Sequence, residues 1–378
     1  MGSVPEELAR WGFMTTDGKI IIKPKYHFAT PFKGGFATVQ FLERQSTGML
    51  LQYDSRWGAI DGRGKLVIPD QYEHLDSFSE GLAKAVLLEK KRRSGKPASG
   101  YINGDGEFAV AWDLEGDNFY FAGPFSEGLA YVPVYSEEDA ARDVGSGEET
   151  DSPFADFFSK STPPGIVLGY INVEGAIIIS AQYKAAGDFH EGLAYVMDAE
   201  SELFGYVDAT GRMAIEPQFD DAKDFSEGLA SVSISGVFGY IDTGGDFSIE
   251  PVFSQASSFS DGLAPAQIDG KFGFIDKTGE FLIAPEYDFV GRFSEGIAAV
   301  GRKKGNGLQW GFIDRNGAKK LPFGYTNWVD PVFIDGLALV QQTETSASGD
   351  ALHSSGYINV SGEWIYRPVS GPWYYFIE

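Results

Sequence analysis

The sequence predicts an all-β fold of tandem three-stranded units forming an open, curved β-solenoid or superhelix, with a closed β-propeller as the alternative. Three observations carry this expectation. A glycine-bearing start recurs nine times: WGFMTTDG from Trp11, WGAIDGRG from Trp57, GYINGDG from Gly100, GYINVEG from Gly169, GYVDATG from Gly205, GYIDTGG from Gly239, GFIDKTG from Gly273, GFIDRNG from Gly311 and GYINVSG from Gly356. A second motif follows each of the first eight, reading FKGGFA, FSEGLA, FSEGLA, FHEGLA, FSEGLA, FSDGLA, FSEGIA and FIDGLA. The two motifs keep a fixed distance: Gly12 to Gly35, Gly58 to Gly81, Gly169 to Gly192, Gly205 to Gly228, Gly239 to Gly262 and Gly273 to Gly296 are all 23 residues. Nearly all length variation falls between the second motif and the next start. Insertions confined to one connection of a repeat emerge on one face of the array, often the binding face.

The elements follow in chain order. Ser3-Val4-Pro5-Glu6 has capping-box spacing with proline in the first turn, which predicts a capping helix over residues 1–10. Eight repeats then fill 11–355, starting near 11, 57, 99, 168, 204, 238, 272 and 310. The unit at Gly273 serves as the pattern. Phe274-Ile275 open a first strand, and Asp276-Lys277-Thr278-Gly279 is a tight turn, with Asp to bond the backbone and Gly for positive φ. Phe281-Leu282-Ile283 is a second strand, expected to stop at Pro285. The chain crosses through Phe293-Ser294-Glu295-Gly296, another turn, into a third strand over 297–300. Unit eight replaces its second strand by Ala318-Lys319-Lys320-Leu321-Pro322. Residues 356–378 are a partial ninth repeat and an aromatic C-terminal cap. The chain begins at the start of a unit and ends in an extra half unit, and the shortest unit (Gly205 to Gly239, 34 residues) is below the roughly 40–45 of a four-stranded blade, which favours the open array.

The W/F-G-[FY]-I-D-x-x-G start, the apolar strand with proline and the F-S-E-G-L-A motif together resemble the WG (KWG-type) repeat family of bacterial proteins, from about Trp11 to the C-terminus. The leading Trp stands only at Trp11, Trp57 and Trp310, with Phe204, Phe238 and Phe272 in three other units and Ser99, Leu168 and Ser355 in the rest. The resemblance implies β-repeats, a bacterial setting and an interaction module, and it supplies no catalytic residues.

Composition narrows the function. Thirty basic against 54 acidic residues give −24, which disfavours binding to phosphate backbones. The aromatic content, 30 Phe, 18 Tyr and 7 Trp, supplies a core and excludes a wholly disordered acidic chain. With no cysteine there is no disulfide, thiolate metal site or cysteine nucleophile. The N-terminus has no secretory pattern, no run of 18 apolar residues suggests a membrane span, and a cytoplasmic location is expected.

The repeated turn acids Asp208, Asp242, Asp276 and Asp314 read as Asx turns rather than calcium loops, since one acid per turn does not make a calcium site. The acids of the second motif, Glu80, Glu127, Glu191, Glu227, Asp261, Glu295 and Asp335, read as turn residues that also form an acidic stripe. His27, His74, His190 and His353 occupy different unit positions, without zinc spacing. Neither a nucleophile elbow nor a phosphate loop occurs. No metal or cofactor is expected, and no enzymatic activity.

The distinctive segment is the acidic insertion at 134–164, with eight acids and two bases. Its candidate partner-binding residues are Glu137, Glu138, Asp139, Asp143, Glu148, Glu149, Asp151, Phe154, Phe157 and Phe158, the Phe cluster serving as anchors and the acids as a rim. A loop folded back on the array explains the same residues. Lys90-Lys91-Arg92-Arg93 and Arg302-Lys303-Lys304 lie in the same connection of other units and read as solvated loop charges. The expected function is a non-catalytic, monomeric scaffold that binds a protein partner, preferably basic, through the variable face (40–56, 86–99, 134–167, 301–309, 341–355). An immunity protein neutralising a toxin is one concrete version. The alternatives are a carbohydrate- or peptide-binding module and an acidic nucleic-acid mimic.

Overall fold

The computed structural model describes residues 11–47, 50–113, 118–135, 166–305, 307–326, 332–345, 351–366 and 373–376. The expected helix over 1–10 lies outside the described residues. The fold is all-β, with one four-residue helix, Asn118–Phe121, and one short 3-10 turn, Glu89–Lys91, among the described residues.

The three strands of each unit form as expected, but sheets are cut in a different phase from the sequence repeat. The third strand of one unit pairs with the first strand of the next: Ala230–Ile234 with Val237–Ile241, and Ala264–Ile268 with Lys271–Ile275. The connection between them is a two-residue hairpin, with Ser235 and Gly236 at φ 52° and 74° and Asp269 and Gly270 at 51° and 74°. Such left-handed pairs match the twist of the flanking strands, so adjacent pairing wins here. The two four-stranded sheets then add the second strand, such as Phe281–Tyr287, and a two-residue strand, such as Gln255–Ala256, on the other side, while larger sheets continue from the second strand into the next third strand.

Pro285 does not stop its strand. Phe281–Tyr287 runs through it, as Met213–Phe219 runs through Pro217 and Phe247–Phe253 through Pro251. Each is the last strand of its sheet, where a missing N–H deprives no neighbour. Unit eight also keeps its second strand, Lys319–Tyr325.

The glycine of each start is explained by that second strand. Pairing shifts register beside Gly205, Gly239 and Gly273. A Cβ at these positions would lie 2.5, 2.6 and 2.3 Å from the carbonyl oxygens of Ile215, Ile249 and Ile283. Only glycine admits the approach.

Units pack through repeated apolar contacts. Tyr101, Tyr170, Tyr206 and Tyr240 are buried edge-on or tilted against Phe125, Phe189, Phe225 and Phe259 at 4.8–5.0 Å. Their hydroxyls donate to the carbonyl oxygens of Gly123, Gly187, Lys223 and Ser257 at 2.7–2.8 Å, so none of these four phenol oxygens is orphaned. Burying one such ring contributes about 1.5–3 kcal/mol. The first-turn glycine of each unit also rests on an aliphatic side chain of the unit before: Gly211 on Ile179, Gly245 on Ile215, Gly279 on Ile249 and Gly317 on Ile283.

The ends of the array meet. Trp373–Phe376 pairs in parallel with Trp11–Met14, Trp11 opposite Trp373 and Met14 opposite Phe376. It occupies the side of the first strand that other units give to the preceding third strand. Gly18 lies against Ile365, repeating the glycine-on-aliphatic contact between units one and nine. Met14 shares a core cluster with Leu337 and Tyr357.

Candidate interaction surface

Every third strand starts at the Phe-x-x-Gly turn of the second motif and ends at the hairpin into the next unit, so turns and hairpins occupy opposite edges. The turn edge is internally bonded. The motif's second-turn acid adopts left-handed φ, from 51° at Glu80 to 57° at Glu191, followed by glycine at 74–88°. Their N–H groups then point out of the turn, and in units three to eight the preceding unit's carboxylate accepts one or both of them. Glu80 accepts from Glu127 and Gly128 N–H at 2.8 and 2.9 Å, and Glu127 accepts from Glu191 and Gly192 N–H at the same distances. Glu191, Glu227, Asp261 and Glu295 accept from Gly228, Gly262, Gly296 and Gly336 N–H at 2.8–3.1 Å. A parallel series runs through serine: Ser126, Ser226, Ser260 and Ser294 donate to the carbonyls of Phe189, Phe259, Phe293 and Phe333 at 2.7–2.8 Å. The expected acidic stripe is therefore a chain of clasps between units. Lys277 adds a bond to Glu227 O at 2.8 Å and an ion pair with its carboxylate at 3.2 Å.

The first-turn acids are Asx turns. Asp276 Oδ1 accepts the N–H groups of Thr278 and Glu280, and Asp208, Asp242 and Asp314 repeat the pattern. These bonds hold the Asp208 and Asp276 carboxyls below the usual range, with the Thr210 and Thr278 hydroxyls as the largest cause.

A polar cluster, not anticipated from the sequence, lies beside the turns of units two to five. His190 Nε2 is 3.9 Å from Asp224 Oδ2, and the Oδ1 atoms of Asp188 and Asp224 are buried without a hydrogen-bond partner. Burial raises both carboxyls, Asp224 to about 6. Tyr195 lies flat on Gly187 and Tyr131 on Gly123, positions where a Cβ would collide with either ring. Burial, then the nearby Asp carboxylates, push both phenols up. Lys84 is buried: its ammonium donates to Phe119 O and Ala122 O at 3.1 and 2.7 Å and pairs with Asp76 at 3.3 Å. His74 stacks on Phe119 at 4.9 Å, and burial lowers its pKa. The signal for this cluster was the residue just before the motif's Phe, aspartate only at Asp188 and Asp224. Among the described residues no His, Asp and Glu converge as a metal site.

The hairpin edge carries the length variation. The 40–56 connection is not a loop but the end of a long hairpin, Ala37–Thr47 with Leu50–Ile60. Ile297–Lys304 with Gly307–Asp314, and Leu337–Thr345 with Ala351–Asn359, are two more extended hairpins. Unit two instead carries the short turn Glu89–Lys91. The basic clusters here are partly engaged: Arg302 pairs with Glu286 at 2.8 Å and covers the Tyr287 and Phe323 rings, while Arg92 lies 3.8 Å from Glu73 and Lys90 lies 3.8 Å from Asp54. The candidates Glu137, Glu138, Asp139, Asp143, Glu148, Glu149, Asp151, Phe154, Phe157 and Phe158 lie outside the described residues. The strands on either side of that segment, Leu129–Tyr135 and Ile166–Asn172, pair with one another as the third and first strands of other units do. No helix among the described residues is long and apolar enough to cross a membrane.

Among curated proteins no sequence matches this chain. Similar solved structures include the Pyrococcus horikoshii acylaminoacyl peptidase (10% identity, TM-score 0.37, 88% of this chain and 52% of that one). Citrobacter koseri AztD matches at 10% identity and TM-score 0.39, over 81% of this chain and 89% of that one. The β-propeller domain of the Trilobed protease from Pyrococcus furiosus, described as having an open velcro topology, matches at 10% identity and TM-score 0.36, over 88% and 97%. The chain thus spans about half the length of the peptidase, and likeness at these scores carries no argument about activity. The sequence match is of another order: the WG containing repeat is found at 11–41, 57–90, 169–198, 204–237, 238–272, 272–305 and 310–344, more than half of the chain. With its two motifs placed on recurring strands and turns, this chain belongs to the family of proteins built from WG containing repeats.

Proposed function

We propose that the chain is a non-catalytic scaffold that binds a protein partner across its hairpin edge. The observation that carries this reading is the contrast in bonding: turn-edge carboxylates are taken up by neighbouring turns, whereas the hairpins vary in length from unit to unit. A surface free of unit-to-unit constraints accepts new side chains at little cost to the fold. Net −24 speeds encounter with a basic partner, and neutralisation of a toxin is one form of that binding. Clasped carboxylates are poor imitations of free phosphates, which disfavours nucleic-acid mimicry.

We also infer that the scaffold is a closed ring rather than an open solenoid. The pairing of Trp11–Met14 with Trp373–Phe376, the Gly18–Ile365 contact and the Met14–Leu337–Tyr357 cluster support this. Closure would hold the hairpins in one circular rim.

Affinity capture from the native host's lysate tests the binding reading, using the intact chain, a chain lacking residues 136–163 and a chain with residues 44–53 trimmed. A single stoichiometric partner lost on trimming, with an unchanged melting temperature, is expected. A partner retained equally by all three chains would contradict it.

A further inference from the structure

The clasp series shows within one molecule what these turns bind. Six turns, at 127–128, 191–192, 227–228, 261–262, 295–296 and 335–336, hold a carboxylate of the preceding unit on one or both N–H groups. The turn at Glu80 and Gly81 has the same geometry, with φ of 51° and 81°. Unit one, however, places Gly34 where the other units place the acid, so no side chain reaches forward. Among the described residues the N–H groups of Glu80 and Gly81 make no hydrogen bond, and both residues are exposed. Beside Gly34 stands Lys33, at the position whose serine in units three, five, six and seven bonds the following unit's turn. Its side chain is exposed, and its positive charge acts on this edge.

We propose that the Glu80–Gly81 turn is a carboxylate-binding point for a partner protein, taking an acidic side chain or a C-terminal carboxylate as the other turns take Glu80, Glu127 and their equivalents. Two converging N–H groups in left-handed turns form a concave site for an anion, and six filled copies specify its chemistry. The proposal concerns the turn edge and stands independently of binding at the hairpins.

The sequence also provides the control. Gly34 has φ 60°, within a few degrees of the acids it replaces, and a Cβ there meets no atom within 4 Å. Gly34→Glu therefore supplies the missing carboxylate from within. The experiment follows backbone amide shifts of the intact chain by NMR during titration with N-acetylalanine, which carries only a C-terminal carboxylate, and with N-acetylglutamate α-amide, which carries only a side-chain one. Sodium chloride at matched ionic strength is the reference. Saturable downfield shifts of Glu80 and Gly81, absent at Glu191 and Gly192, are expected with at least one probe, and whichever acts names the source. In Gly34→Glu both amides should start downfield and no longer respond. No probe-specific shift in the wild type, or an undiminished response in Gly34→Glu, would overturn the proposal.

Discussion

The turn edge and the hairpin edge are built from the same third strands, yet they obey different rules. On the turn edge each residue type recurs because each turn is bonded to the next. Replacing Glu127 removes acceptors from Glu191 and Gly192, 64 and 65 residues further on. On the hairpin edge each connection is closed within its own sheet, so a hairpin lengthens without disturbing its neighbours. Sequence regularity in this array therefore marks where units touch one another, and irregularity marks where they are free to touch something else.

The contrast is sharpened first at the start-motif glycine. Gly273→Ala sets a Cβ 2.3 Å from Ile283 O, and we expect a loss of about 3 kcal/mol or more in urea unfolding, or no folded protein. Gly324→Ala, where a Cβ meets nothing within 4 Å, should change stability by no more than about 0.5 kcal/mol. Equal effects would break the steric account. Glu127→Ala comes next. It removes two charge-assisted bonds on an exposed edge, and a loss of about 1–2 kcal/mol by thermal or urea unfolding is expected.

The third test is pH. Burial lifts Asp224 to about 6, above the carboxylate's unfolded value. Between about pH 4 and 6 the folded state holds a proton that the unfolded chain has released, so this group's contribution falls as pH rises through that window. The side chain keeps 40% of its surface in water, which screens the effect to about 1 kcal/mol. Asp224→Asn should flatten that part of the stability–pH curve, and an unchanged slope would remove Asp224 as its cause. The smallest effect is expected on the other edge: replacing residues 44–53 by Asn-Gly should alter stability by less than about 0.5 kcal/mol. A large loss would mean that the hairpin edge, too, carries unit-to-unit contacts.

Much of this was legible in the sequence because it is local. The Asp276 turn, the positive φ of Gly279 and the confinement of insertions to one connection need only a few neighbouring residues. What was not legible depends on distant partners. Pro285 looked like a strand end because sequence does not tell an edge strand from a central one. The sheet phase was missed because third and first strands, which pair, belong to different copies of the motif. Glu80 was recognised as a turn acid, but its acceptor role depends on a turn 47 residues away. The pairing of Trp11–Met14 with Trp373–Phe376 joins opposite ends of the chain, and the aromatic tail read as a plug rather than as a strand. Asp188 and Asp224 carried only a weak signal, a change of residue type at one unit position.

The central claim, that the turns of units three to eight are each held by the carboxylate of the unit before, is tested most directly by comparing amide shifts and hydrogen exchange in the wild type and Glu127→Ala. Upfield shifts and faster exchange at Glu191 and Gly192, with Gly262 and Gly296 unchanged, are predicted. Unaltered Glu191 and Gly192 amides in a folded Glu127→Ala protein would contradict it.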